Sequence, residues 1–501
     1  MPAARSEAPA SDALPPAHRR LITLLVISAF VVILNETIMS VALPELMVDL
    51  DIPATTAQWL TSGFLLTMAI VIPITGFLLQ RFEIRQIFVA AMVSFSLGTL
   101  VAALAPGFEV LLLGRVIQAV GTALMMPLLM TTVMTLVPEA RRGAMMGTIS
   151  IVIAVAPAIG PTISGVVLEV LDWRWMFWLV LPFALVSLAM GARWVENVTS
   201  PQGAHLDVVS VVLSAIAFSG VVYGLSSIGE AAQGETPVPP AVPIAVGAVV
   251  LAIFAWRQLR LGDRALLDLR VFASPLFCIA ALLTGLSMMT LLGALIVLPL
   301  YLQDVLDLST LTTGLILLPG GLVMGAMAPF VGRAYDRFGP RPLVLPASGV
   351  VIVALFLLAQ LGTGSSEIAV IAAHVVLMAG LALMFTPLLT TALGAVPPQR
   401  YSHGSAIVST AQQVAGAAGA AIFITVMTRR ATSAGDDGAN PVDALADGVQ
   451  AAMYVGVGLA VVGGIVAFFL RRPKAPAMPP AGPGGDAEAD DQPAPTQPVA
   501  V

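Results

Sequence analysis

The chain has 501 residues, 58% of them hydrophobic and only 10% charged, with a formal net charge of −6. A soluble domain carries about 25% charged residues, so a water-soluble fold is excluded and no nucleic-acid partner is expected. The lone cysteine, Cys278, rules out a disulfide framework and a thiolate metal site.

Apolar runs of about 20 residues span a bilayer as helix. The first run, 21–43, follows Arg19 and Arg20 and reads as a retained helix rather than a cleaved signal. It is followed by runs at 57–80, 86–104, 108–136, 142–169, 175–195, 206–227, 241–259, 275–301, 309–332, 342–361, 366–394, 402–428 and 449–471. Strict alternation is absent, and lipid admits only helices or closed barrels, so the fold class is an all-α membrane protein of fourteen spans. The ends, 1–20 and 473–501, are rich in Ala, Pro and Asp and read as disordered tails. The segment "LLDLRVF" (266–272), with Leu266, Leu267 and Val271 against Arg264 and Arg270, reads as a short amphipathic helix on the inner membrane surface.

Orientation follows from Lys and Arg. With the N-terminus in the cytoplasm, nineteen of the 23 basic residues fall inside. Arg174, Arg429 and Arg430 fall outside, and Arg115 lies within a span. Both termini are therefore expected in the cytoplasm of a bacterium, the excess of Arg over Lys pointing to a GC-rich genome.

The first span carries Asn35 and Glu36 in its interior. A carboxylate in apolar surroundings either finds a partner or takes up a proton, so an acid inside a span is a functional candidate by default. Arg115 on the fourth span is its candidate partner. Counting at ~1.5 Å per residue from Pro44 and from Phe108 puts both roughly 10–12 Å below the outer surface. Arg115, Gln118, Thr122, Met125 and Met126 then form a polar-to-soft stripe at helical spacing, and Asn35, Glu36 and Ser40 form a similar arc. Both stripes are expected to face a central cavity, with Gln412 and Gln413 of the thirteenth span as lining from the other half. In the fifth span Pro157, Gly160, Pro161 and Gly165 suggest a bent helix that packs closely. His374 and His403 have no acid or cysteine cluster around them and read as structural; no metal site is expected.

Two stretches repeat. "GFLLQRFEIR" (76–85) and "GRAYDRFGPR" (332–341) share Gly, Arg, Phe and Arg at the same offsets. Gly76, Arg81 and Arg85 thus correspond to Gly332, Arg337 and Arg341, with Asp336 and Gly339 present only in the second copy. A duplicated six-helix unit follows: helices 1–6 (21–195) and helices 9–14 (272–472) as pseudo-symmetric bundles, with helices 7 and 8 inserted in a linker at 196–271.

The second copy resembles the Gly-x-x-x-Asp-Arg-x-Gly-Arg loop motif of the major facilitator superfamily; the first has Gln80 where Asp is usual and Glu83 where Gly is usual. With fourteen spans, the chain is similar to the drug:proton antiporter branch, the EmrB/QacA type of multidrug exporter. "LNETIMSVALP" (34–44), "LLLGRVIQAVGTA" (111–123), "GPTISG" (160–165), "DWRWMFW" (172–178), "LPLYLQDVLDLS" (298–309) and "SAIVSTAQQVAGAAG" (405–419) resemble further signatures of that branch. Its first-span Asp is Asn35 here, with Glu36 next to it.

The resemblance implies a monomeric plasma-membrane antiporter that exports small amphipathic drugs or antibiotics by alternating access. It would use the proton gradient and no cofactor, with an antiport role for Gly160, Pro161 and Gly165. Export of an endogenous metabolite or lipid, and nutrient uptake by a facilitator or symporter of the same fold, are the rival readings. An enzyme is not expected, since no nucleophile–base pair or metal cluster is visible. The chain also has no Gly-Lys dipeptide, which excludes a phosphate-binding loop of the Walker type.

Overall fold

A computed structural model describes residues 15–195, 206–228 and 238–471. Most of both expected tails and part of the linker lie outside the described residues, as do the side chains of Ser40 and Pro161. Fourteen long helices are present among the described residues, each long and apolar enough to cross a membrane. They are α1 (Pro16–Asp49), α2 (Ala54–Arg81), α3 (Ile84–Ala103), α4 (Phe108–Leu136), α5 (Arg142–Val170), α6 (Arg174–Trp194), α7 (Val208–Ser226) and α8 (Ala241–Leu261). Then follow α9 (Pro275–Leu300), α10 (Thr310–Phe338), α11 (Arg341–Leu358), α12 (Glu367–Gly394), α13 (Tyr401–Asp436) and α14 (Pro441–Ala467). An even number of crossings puts the start of α1 and the end of α14 on one face, here the terminal face; the other is the far face.

Two expectations shift at helix ends. Residues 16–20, read as tail, form the first turn of α1, where Pro16 occupies a position that needs no N–H donor. α1 also runs through Pro44 to Asp49, because Asp49 is held by Trp173 Nε1–H at 2.8 Å and Arg174 Nη1–H at 3.3 Å. The linker segment is not an amphipathic helix: only Leu269–Ala273 winds, as a five-residue 3-10 turn. Leu266, Leu267 and Val271 are buried in the protein instead of lying on its surface.

The packing is two-fold. In the N-terminal bundle α1 packs on α4, α5 and α6, α2 on α4, and α3 on α4 and α6. In the C-terminal bundle α9 packs on α12, α13 and α14, α10 on α12, and α11 on α12 and α14. Each pair in one list has its counterpart eight helices later. The bundles meet along α5–α10 and along the matching pair α13–α2. The loops obey the same rule: Asp51 and Asp307 take left-handed φ of 49° and 54° and close the α1–α2 and α9–α10 connections. Asp tolerates this region better than most residues because its short polar side chain bonds locally.

The inserted pair is a glycine-packed hairpin. A Cβ on Gly220 would meet Gly247 Cα at 2.9 Å, and one on Gly247 would meet Val221 N at 2.6 Å, so neither position admits a side chain at this separation. Its base on the terminal face is tied by Arg257 to Asp207 at 2.8 and 2.9 Å and by Gln258 Nε2–H to Ser210 Oγ at 2.7 Å. α7 lies on α2 and α13, with Tyr223 stacked on Trp59 at 5.8 Å between centroids.

Candidate functional site

Close packing of α3 on α4 sets the geometry. A Cβ on Gly114 would strike Ala102 N at 2.8 Å, and one on Gly121 would strike Phe95 N at 2.8 Å. These two glycines are two turns apart, so they fix one face of α4 against α3. Arg115, about 100° further round, then points toward α2. Its Nε–H donates to Leu60 O at 3.5 Å, and its guanidinium lies 4.0 Å from the centroid of Phe64. A ring face attracts a cation most where water is excluded, and Arg115 is only 1% exposed.

Gln118 completes the setting. Its Oε1 accepts Arg115 Nη1–H at 3.0 Å, and its Nε2–H donates to Thr99 Oγ1 at 2.8 Å. Thr99 passes its own hydroxyl to Phe95 O at 2.7 Å, and Thr122 bonds Gln118 O at 3.1 Å. Gln118 and Thr122 thus face α3 and their own helix, not an open cavity, because a buried amide must find partners. Met125 is buried in the N-terminal core and Met126 packs partly buried against it.

Glu36 is half-buried on α1 and interacts electrostatically with Arg115. No ion pair within 4.0 Å joins them among the described residues. Acid and guanidinium thus interact without forming an ion pair among the described residues. Asn35 is buried, and its Nδ2 has no partner among the described residues.

α5 braces α1 at this level. A Cβ on Gly160 would collide with the Thr37 hydroxyl and approach Thr37 Cβ at 2.9 Å. Thr37 Oγ1 also lies 3.4 Å from Ala156 O, and Ser164 Oγ–H donates to Ile38 O at 3.0 Å. Gly165 differs, since a Cβ there would meet nothing within 4 Å. Of the two glycines expected to pack closely, only Gly160 does so. Pro157 lies within the same continuous helix.

The other half contributes at two points. Gln413 Nε2 lies 3.6 Å from Met68 Sδ across the α2–α13 seam, while Gln412 is buried. His374 falls seven residues into α12, as Arg115 falls seven into α4. Its ring meets the backbone of α10 at Leu317 and packs over Gly320, as Arg115 meets Leu60 and Phe64 of α2. The equal offsets from the helix starts were the signal that could have marked it.

The repeated loops join the bundles at the terminal face. Asp336 accepts the backbone N–H of Gly143 at 2.8 Å and of Ala144 at 2.9 Å, at the N-terminus of α5. A Cβ on Gly332 would reach Gly143 C at 2.7 Å, so the motif glycine permits the approach. Gly339 caps α10 with φ of 81°, a conformation that favours glycine. In the first copy, Gly76 faces His403 and Ala406 of α13, and Gln80 Nε2 reaches Gln399 O at only 3.5 Å. Glu83 instead caps α3, and Arg85 donates to Ala192 O at the end of α6. Arg81 and Arg341 are exposed, and Arg337 lies 5.1 Å from the Phe338 centroid. Arg142 to Tyr401 Oη at 3.1 Å and Thr131 to Ser405 at 2.7 Å add further crossings.

Residues 25–420 match the family model described as Major Facilitator Superfamily. The chain belongs to the major facilitator superfamily. It is 43% identical over 460 residues to the lincomycin resistance protein LmrB of Listeria monocytogenes, covering 91% of this chain and 97% of that one. It is 40% identical over 456 residues to LmrB of Bacillus subtilis, covering 90% and 95%. Among solved structures it resembles the human organic anion transporter MFSD10, with a TM-score of 0.64 at 16% identity, over 90% of this chain and all of that one. This major facilitator protein is thus a multi-pass membrane transporter built from two six-helix bundles and an inserted helix pair.

Proposed function

We propose that this transporter exports amphipathic drugs or antibiotics from a bacterial cell in exchange for protons, with both termini in the cytoplasm. The relatives named for lincomycin resistance support the substrate class, and a lincosamide is the first probe to test. One observation supports the coupling: Glu36, half-buried in α1, interacts electrostatically with the buried Arg115 guanidinium without forming an ion pair among the described residues. Protonation of Glu36 would remove its attraction to Arg115 and its loss would restore that attraction, so one proton would alter the forces between α1 and α4. Gly160 holds α5 against α1 at the same level and would transmit the change to the α5–α10 seam.

The terminal-face contacts of Asp336, Arg142 and Thr131 support a state closed to the cytoplasm. Rocking of residues 21–195 against 272–472, about the linker at 196–271, would break them and expose the site inward. The protein would act as a monomer without a cofactor. The experiment uses energised everted vesicles. Lincomycin added to vesicles holding the protein should dissipate part of their acid-inside gradient, and an unchanged gradient with unchanged lincomycin uptake would overturn the reading. A gradient that steepens with the drug would instead indicate uptake by symport.

A further inference from the structure

The far face holds an open cleft of about 900 Å³ between the inserted hairpin and α13. Its floor is apolar, with Leu225 of α7, Ile244 of α8 and Ile422 of α13. Its upper wall is polar and comes from α13, with Thr425, Arg429 and Thr432 at helical spacing. α13 has 36 residues, about 54 Å of helix, against ~30 Å of hydrocarbon. Its N-terminus is anchored on the terminal face, where Arg400 pairs with Asp268 at 2.9 Å. Arg429 therefore stands roughly 42 Å along the helix, in the headgroup layer of the far leaflet, while Ile422 lies near the edge of the acyl region.

Charge identifies the occupant. The far face has three arginines against the general trend. Arg174 is paired with Asp49 at 3.3 Å and Arg430 with Asp447 at 3.4 Å. Arg429 lines the cleft and makes no ion pair among the described residues, although Asp436 lines the same cleft nearer the surface. A guanidinium is suited to a phosphate diester, while Thr425 and Thr432 donate their hydroxyls to Ala421 O at 2.6 Å and Thr428 O at 2.9 Å. Arg429 is thus the group that would hold the phosphate, and the apolar floor below suits acyl chains. We propose that the cleft is a binding site for one anionic phospholipid of the far leaflet, its phosphate on Arg429 and its chains between the hairpin and α13. α7 packs both on α2 of the N-terminal bundle and on α13 of the C-terminal bundle. The lipid would therefore lie beside the contact through which the hairpin touches both bundles.

The test is native mass spectrometry of the full-length protein, delipidated and re-equilibrated with phosphatidylglycerol and phosphatidylcholine of equal chain length. The wild type should retain one phosphatidylglycerol over phosphatidylcholine by five-fold or more. Arg429→Ala should lose that preference, Arg429→Lys should recover part of it, and Ile244→Trp should lose the lipid altogether. Equal phosphatidylglycerol retention in all four proteins would overturn the proposal. If a variant does not fold, a photoactivatable phosphatidylglycerol on the wild type decides. Adducts within 421–436 support the site, and adducts only elsewhere refute it.

Discussion

Asp336 binds the backbone N–H of Gly143 at 2.8 Å, so a side chain of one bundle caps the first turn of a helix in the other. The N-terminus of a helix carries partial positive charge, and an anion there gains from the dipole and from unsatisfied N–H groups. Asp336→Asn keeps the shape and removes the charge. The expected loss is about 1–2 kcal/mol, on the order of a ten-fold shift toward the state open on the terminal face. A cysteine at Thr131, which crosses to Ser405 of the other bundle on the same face, should label correspondingly faster with a thiol reagent. An unchanged labelling rate would show that the cap does not hold the bundles together.

The glycines of the fifth helix should separate cleanly. Gly160→Ala drives a methyl into Thr37, and overpacking of this kind costs about 1–3 kcal/mol. Gly165→Ala meets nothing within 4 Å and should be close to neutral. Thermal unfolding in detergent, with resistance conferred on a pump-deficient host, measures both. Equal effects at the two sites would contradict the packing described.

Gln118→Leu removes the acceptor of Arg115 Nη1 and the donor to Thr99 in one step. Leaving buried polar groups unpaired costs about 1–3 kcal/mol. Melting temperature and drug efflux should both fall, whereas Met126→Leu, a volume-conserving change, should leave both nearly as they were.

Asp268 gives the linker an acid limit. Burial pushes its carboxyl up, but hydrogen bonds from the Arg270 side chain and backbone and the charge of Arg400 outweigh burial and hold it below the usual range. A carboxyl depressed in the folded state adds stability above its unfolded pKa, and that stability is lost as pH falls through the folded value. The contribution should therefore be constant from pH 8 to about 5 and decline below about 4. Asp268→Asn should flatten that part of the melting profile. An identical acid decline in wild type and variant would contradict the assignment.

Hydropathy alone marked all fourteen crossings, because lipid leaves the backbone no alternative to helix. The repeat was visible in one loop pair, and the structure extends it to Asp51 and Asp307, whose spacing is that of the loops. That Glu36 and Arg115 are candidate partners could be argued by counting from Pro44 and Phe108, although α1 runs on past Pro44 to Asp49. The fate of Gln118 could not, since helical spacing shows which residues share a stripe but not which neighbour the stripe faces. Only the Gly114 and Gly121 contacts with α3 decide that. The far-face cleft was equally hidden, because it depends on where the inserted hairpin docks and how far α13 extends past its apolar run.

The central claim is that Glu36 carries the exchanged proton. Purified wild type and Glu36→Gln should be compared in liposomes with an internal pH dye and labelled lincomycin. Glu36→Gln should abolish drug-induced proton movement while still exchanging labelled for unlabelled drug across the membrane. Proton movement at the wild-type rate in Glu36→Gln would contradict the account.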